Sequence, residues 1–105
     1  MNIFKKIKMS LRLHEAIRQA NEAYQENGRR YYVMPLNNSD GQLLVMDRPN
    51  FRKLKQKGYI DSKVRINDLV RECFYCTPYS NGIGTLDDDI VKLKRKQYYS
   101  WVESL

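Results

Sequence analysis

Nowhere does the sequence hold the ~18–20 consecutive apolar residues that a membrane-spanning helix needs, so no membrane partner is expected of it. The opening stretch, Met1-Asn2-Ile3-Phe4-Lys5-Lys6-Ile7-Lys8-Met9, is broken by charge every two or three residues and does not read as a secretory signal. Cysteine is scarce. Cys73 and Cys76 are the whole supply and lie three positions apart, too close to staple the loops of a secreted framework. The expectation is a cytoplasmic protein with two reduced thiols. There is one histidine, His14. No nucleophile motif, phosphate-binding glycine loop or dinucleotide-binding glycine pattern occurs. An enzyme is therefore not expected, and no cofactor or metal is implied. Internal repeats and low-complexity linkers are also lacking.

What is present is charge. The 105 residues carry 19 Lys and Arg against 12 Asp and Glu, a net charge of +7. A strongly basic chain with no membrane span attracts nucleic acid, an anionic membrane face or an acidic protein surface. The charged fraction of 30% is ordinary for a folded domain. Length points to a single domain spanning residues 1–105. So short a chain buries only about 60–65% of its unfolded surface, which leaves little room for a large internal cofactor.

The turn signals divide the chain into an α+β pattern, with helices packed on a small antiparallel hairpin. A first helix is expected over residues 10–27, capped by Ser10 and striped by Leu13, Ile17, Ala20 and Tyr24. Gly28 suits its left-handed stop. Residues 1–9 either extend it or form a flexible or amphipathic arm. Arg30-Tyr31-Tyr32-Val33-Met34 and Gln42-Leu43-Leu44-Val45-Met46 read as strands around the turn cluster 37–41. A short helix follows, with Asp47 or Asn50 as cap, Pro49 in its first turn and Gly58 as stop. Phe51 and Leu54 point inward, and Tyr59 and Ile60 continue into the core. Val64 and Ile66 alternate like a strand, Asn67 suits a helix cap, and Phe74-Tyr75-Cys76 reads as extended. The last helix is expected to be capped by Thr85 and to bury Leu86, Ile90, Leu93, Trp101 and Leu105.

Charge is concentrated in one segment. Residues 48–65 hold Arg48, Arg52, Lys53, Lys55, Lys57, Lys63 and Arg65 against the single acid Asp61. On a helix, Arg48, Arg52 and Lys55 share one side and Lys53 and Lys57 another. Such a surface can neutralise phosphates and release counterions. The same pattern also fits a solvated helix face or an acidic protein partner. Tyr59, at the helix end, can stack on a base or pack inside. Arg29, Arg30 and Tyr31 form a smaller candidate cluster, since one of the pair Tyr31-Tyr32 must face away from the other on a strand. The 8 tyrosines exceed what a small core needs, which suits either interfaces or amphipathic core positions.

Other constellations carry less. Cys73 and Cys76 have CxxC spacing, but zinc needs four ligands and the only other soft one is His14. Structural thiols are the simpler reading. His14 reads as a surface or boundary residue. Asp87-Asp88-Asp89 is explained by helix capping. Ser80-Asn81-Gly82-Ile83-Gly84 is only a loose relative of a phosphate loop.

The segments Arg30-Tyr31-Tyr32-Val33-Met34-Pro35, Met46-Asp47-Arg48-Pro49-Asn50-Phe51-Arg52-Lys53-Leu54 and Glu72-Cys73-Phe74-Tyr75-Cys76-Thr77-Pro78 resemble those of small uncharacterised proteins of bacterial prophages and mobile elements. The resemblance implies a bacterial host cell and a nucleic acid or host protein as partner, and transfers no functional residue. The expectation is a non-enzymatic basic protein that engages a nucleic acid, RNA or DNA, or a nucleoprotein, as a monomer or small homo-oligomer. One alternative is an inhibitor of a host defence nuclease, similar to anti-CRISPR proteins. A further one is a virion or assembly component that oligomerises through the hairpin edge or the arm at residues 1–9.

Overall fold

The computed structural model describes residues 2–105. The chain runs α1 (Ile3–Asn27), β1 (Tyr31–Pro35), β2 (Leu43–Asp47), α2 (Arg48–Gln56), a 3-10 turn (Ile66–Asp68), α3 (Leu69–Glu72), β3 (Tyr75–Cys76) and α4 (Asp88–Glu103). The three strands form one antiparallel sheet in the order β2-β1-β3. The fold is α+β, with four helices packed on this sheet. No helix among the described residues is long and apolar enough to cross a membrane.

Strand periodicity splits the core in two. One sheet face buries Val33 against Met9, Leu13, Ala16 and Ala20 of α1 and Tyr98 and Val102 of α4. The opposite face buries Tyr32, Met34 and Met46 against Phe51, Ile60, Leu69 and both cysteines. β1 is therefore the centre of the molecule, with its side chains covered on both sides. The hairpin closes at Gly41, where φ is +82° and an added Cβ would lie 3.3 Å from Val102. A residue with a side chain would meet both strain and a clash there.

α1 starts earlier than Ser10. Asn2 is its cap, the side-chain oxygen accepting from the Lys5 N–H at 2.8 Å, and Ser10 is an exposed interior residue. Residues 3–9 thus belong to the helix rather than to an arm, and Met1 lies outside the described residues. Gly28 ends α1 at φ 73°, its N–H donating to the Tyr24 carbonyl.

Residues 64–66 form no strand. Val64 donates back to the Asp61 carbonyl in a turn, Asn67 lies inside the 3-10 turn that follows, and α3 has Asp68, not Asn67, at its cap position. Tyr59 is 47% exposed rather than in the core.

α4 is capped by Asp87, which accepts from the Ile90 N–H at 2.8 Å, not by Thr85. Its inner face is Lys94, Tyr98 and Val102. Trp101 is half-buried, Leu86 packs partly against the second core, and Ile90, Leu93 and Leu105 face solvent.

Candidate nucleic-acid interface

α2 is built by its own first turn. Asp47 ends β2 in an extended conformation, and its carboxylate accepts from the N–H of Asn50 at 3.2 Å and from the Asn50 side-chain amide at 2.7 Å. Pro49 occupies the first turn, where no helical N–H is missed. Arg29 reaches the same carboxylate at 3.2 Å. Asp47 is itself buried, so this single acid is spent on the cap and on Arg29.

Phe51 faces the core and Leu54 is half-buried. At about 100° per residue, the rest of the helix is turned outward. Arg48, Arg52 and Lys55 run along one flank. The Lys55 ammonium lies 5.6 Å from the Phe51 ring centroid, so its stem covers the ring while its charge stays in solvent. Lys53 and Lys57 run along the other flank. There they border a shallow groove of about 300 Å³ with Tyr31, Asn50 and Leu54. None of these five cations has a carboxylate within ion-pair distance among the described residues. By contrast, Arg18 on α1 is held by Glu15 and Glu22.

The remaining candidates are scattered by the fold. Tyr59 sits just beyond Gly58, exposed at the end of α2. Tyr31 brings a half-buried ring to the α2 groove, its hydroxyl accepting from the Asn27 amide at 2.7 Å. Arg29 is exposed but tied to Asp47. Lys63 borders a different cleft of about 470 Å³ alongside Asp61, Asp68 and Glu72, so its surroundings are acidic. Arg65 is exposed at the 3-10 turn, its backbone N–H donating to Asp68 at 3.1 Å.

Arg30 is not available to a partner. It is only 8% exposed. Its Nε donates to the Thr77 carbonyl at 2.8 Å, and Nη2 donates to the Gly84 carbonyl at 3.0 Å and to Cys76 Sγ at 3.1 Å. The guanidinium also sits 4.3 Å from the Tyr79 ring centroid and 5.7 Å from that of Tyr32. Position 30 precedes β1 and pairs its side chain with the third strand, which no local pattern could reveal.

Sequence reasoning also missed Lys94. Flanked by Lys92, Arg95 and Lys96, it reads as one more solvated cation, yet it is 5% exposed. Its ammonium donates to the carbonyls of Val70 at 2.6 Å and Cys73 at 2.8 Å. These are carbonyls that α3 leaves free at its C-terminal end, where positive charge is favourable.

Two buried cations thus bracket the CxxC pair. The Cys73 thiol and Arg30, both beside Cys76, together hold its pKa down from 9.0 to about 6 despite burial, and the Cys73 thiol also donates to the Val70 carbonyl at 3.3 Å. The hydrogen bond to Cys76 and burial push the Cys73 thiol up. Burial works to lower the Arg30 pKa, but the neighbouring Cys76 raises it on balance. The arrangement sets a buried guanidinium against Cys76 Sγ, which favours the thiolate form of that sulfur. Both sulfurs are enclosed.

The tyrosine surplus is largely structural. Tyr98 donates to the Gly41 carbonyl at 3.0 Å, Tyr75 to Asn21 at 2.8 Å and Tyr24 to the Tyr79 carbonyl at 2.9 Å. Each hydroxyl ties α1 or α4 to a loop or strand distant in sequence. His14 is exposed on α1. No protein-family model, no curated protein and no solved structure matches the chain.

Proposed function

We propose that the chain is a non-enzymatic binding protein that engages a nucleic acid, or a nucleoprotein through its nucleic-acid component, by the outer face of α2. The observation that carries this reading is the set of four α2 cations and the C-cap Lys57, none with a carboxylate partner among the described residues. A solvated face made only for solubility normally intersperses both signs. Here every exposed charged side chain of the helix is positive. The span of nine residues is about 13 Å at 1.5 Å per residue, enough to follow several phosphates of one backbone. Tyr31 and Tyr59 flank the cations and offer ring faces for stacking.

The test is fluorescence anisotropy with labelled single- and double-stranded oligonucleotides over a range of salt. If all five cations meet phosphates, the slope of log K against log salt on duplex is about −4 to −5. Arg52→Glu with Lys55→Glu lowers that slope by about two. Absence of binding at low salt overturns the reading. A chain that retards no oligonucleotide but co-purifies with one host nuclease would make α2 the plug of a protein groove, in keeping with the prophage-type inhibitor alternative.

A further inference from the structure

α1 has two apolar faces. Met9, Leu13, Ala16 and Ala20 form the one that enters the core. Ile3, Phe4, Ile7 and Leu11 form a second stripe on roughly the opposite side of the helix at about 100° per residue. All four are exposed, Phe4 at 81%. Contiguous exposed apolar patches larger than a few hundred Å² are rare on monomers and mark interaction sites. This stripe continues into an open groove of about 600 Å³ between α1 and the half-buried Leu43 and Val45 of β2.

β2 is an edge strand. Leu36 donates to the Gln42 carbonyl at 3.0 Å, which fixes the parity of the ladder. Leu44 and Met46 therefore turn their peptide groups toward β1, whereas Leu43 and Val45 turn theirs away from it. Among the described residues no segment pairs with that outer edge. Natural edges are guarded by lysine, proline, bulges or a covering element. Residues 43–46 are Leu-Leu-Val-Met, with none of the residue-level guards.

The charges of α1 say what fits. Its first half carries Lys5, Lys6, Lys8 and Arg12 with no acid, and its second half carries Glu15, Glu22 and Glu26 against Arg18. The lysines of the first half oppose the positive end of the helix dipole, a local cost that a facing acidic surface offsets. The same helix, laid antiparallel, is such a surface.

We propose that a second copy of this chain docks on the β2 edge, forming a closed two-fold dimer. Antiparallel pairing of the two β2 strands sets Leu43 of each copy opposite Val45 of the other and makes one six-stranded sheet. A two-fold axis normal to that sheet places both α1 helices on the same face, antiparallel. α1 packs across β1 and β2 alike, and strands lie about 4.8 Å apart. The two helix axes then run about 10 Å apart, within the ~8–10 Å of packed helices. Lys8 and Arg12 of one copy approach Glu22 and Glu26 of the second. Val45 also borders the shallow groove that Lys53 and Lys57 line, whereas Arg48, Arg52 and Lys55 lie on the other flank of α2, so the mass of the chain, not oligonucleotide binding, tests the dimer apart from the nucleic-acid reading.

Sedimentation equilibrium of the full chain is the test, with amide hydrogen exchange as the second readout. The expected mass is twice the 12.5 kDa of one chain, with Leu43 and Val45 amides protected. Val45→Pro removes an outward N–H that the monomer does not use. Leu11→Glu and Phe4→Glu place charge on exposed positions that monomer folding does not need. Each weakens the dimer at least tenfold, while far-ultraviolet dichroism remains that of the folded chain. Glu22→Lys with Glu26→Lys weakens it several-fold, and adding Lys8→Glu and Arg12→Glu restores it. A monomer at about 100 µM in low salt overturns the proposal. So does a dimer untouched by Val45→Pro and Leu11→Glu, an open-ended polymer, or a monomer that instead uses the α1 stripe to bind anionic lipid vesicles.

Discussion

Replacing Arg30 by Met keeps the length of the side chain and removes its charge and its donors. Three hydrogen bonds disappear, to the carbonyls of Thr77 and Gly84 and to Cys76 Sγ. Bonds to a charged group contribute about 1.5–3 kcal/mol each. Their gross sum is partly offset, because the variant no longer has to strip water from a guanidinium. Breaking a buried ion pair from one side costs about 3–5 kcal/mol net. That is a large share of the about 5–15 kcal/mol available to a domain. With an m-value of about 1.5 kcal/mol/M, the urea midpoint followed by Trp101 fluorescence falls by about 2–3 M. Arg30→Lys retains charge but not the fork that spans Thr77 and Gly84, so it loses about half as much. The specific signature is at sulfur. Without Arg30 the Cys76 pKa rises, and the thiolate absorbance present at neutral pH moves to higher pH. A midpoint within about 0.5 M of the unaltered protein, or an unchanged thiolate titration, refutes the guanidinium–thiolate pair.

Further expectations concern the same core and its caps. Because the Cys76 pKa is depressed from 9.0 to about 6 on folding, its contribution to stability is complete above pH 9 and is lost as pH falls toward 6. Cys73 has the opposite sign: its raised pKa costs stability as pH rises past 9. Urea midpoints of the unaltered protein should rise from pH 6 to 9, and Cys76→Ser should flatten that rise. Lys94→Met leaves the buried Cys73 carbonyl without its donor and the Val70 carbonyl with only the Cys73 thiol. It costs about 1–3 kcal/mol, read by the same urea assay, whereas Lys96→Met on the exposed side costs nothing measurable. Asp47→Ala removes the α2 cap and frees Arg29. It lowers stability by about 1–2 kcal/mol, and a thermal scan showing no loss would refute the capping role.

Elements with strong local signals were legible. The hairpin follows from two β-forming runs around a turn cluster, and the structure pairs Tyr31 with Asp47 through Pro35 with Leu43. α2 follows from Asp47, Pro49 and Gly58, and the end of α1 from Gly28. Legibility failed where local patterns were ambiguous. The start of α1 was obscured because Ile3, Phe4, Ile7 and Leu11 do not share the angle of the core stripe. Residues 59–76 contain only short pieces, closed locally by single turns up to Cys73 and held to distant segments through Phe74, Tyr75 and Cys76. The face of α4 was misjudged because Ile90 and Leu93 outrank Lys94 on any hydropathy count. Lys94 nevertheless turns inward, since the carbonyls at the end of α3 lie there.

Five of the candidate cations lie on α2 and its C-cap Lys57, on two flanks of one helix. The others were separated: Lys63 into an acidic cleft, Arg65 onto the 3-10 turn and Arg30 into the core. Helix periodicity decides which side chains of one helix share a face, and this is a property of neighbours in sequence. It does not decide which loop returns beside that helix.

By itself, then, the sequence determined the concentration of positive charge in residues 48–65, the caps that frame α2, and the two-sided apolar character of β1. Each depends on residues a few positions apart, where backbone geometry alone relates the side chains. Only the tertiary structure decided that Arg30 lies against Cys76, 46 positions away, and that Lys94 closes the end of α3. It alone set β2 at an unpaired edge beside an exposed apolar stripe. Which charge loses its water, and which strand lacks a neighbour, follows from contacts between distant segments, and those exist only once the sheet has formed between its helices.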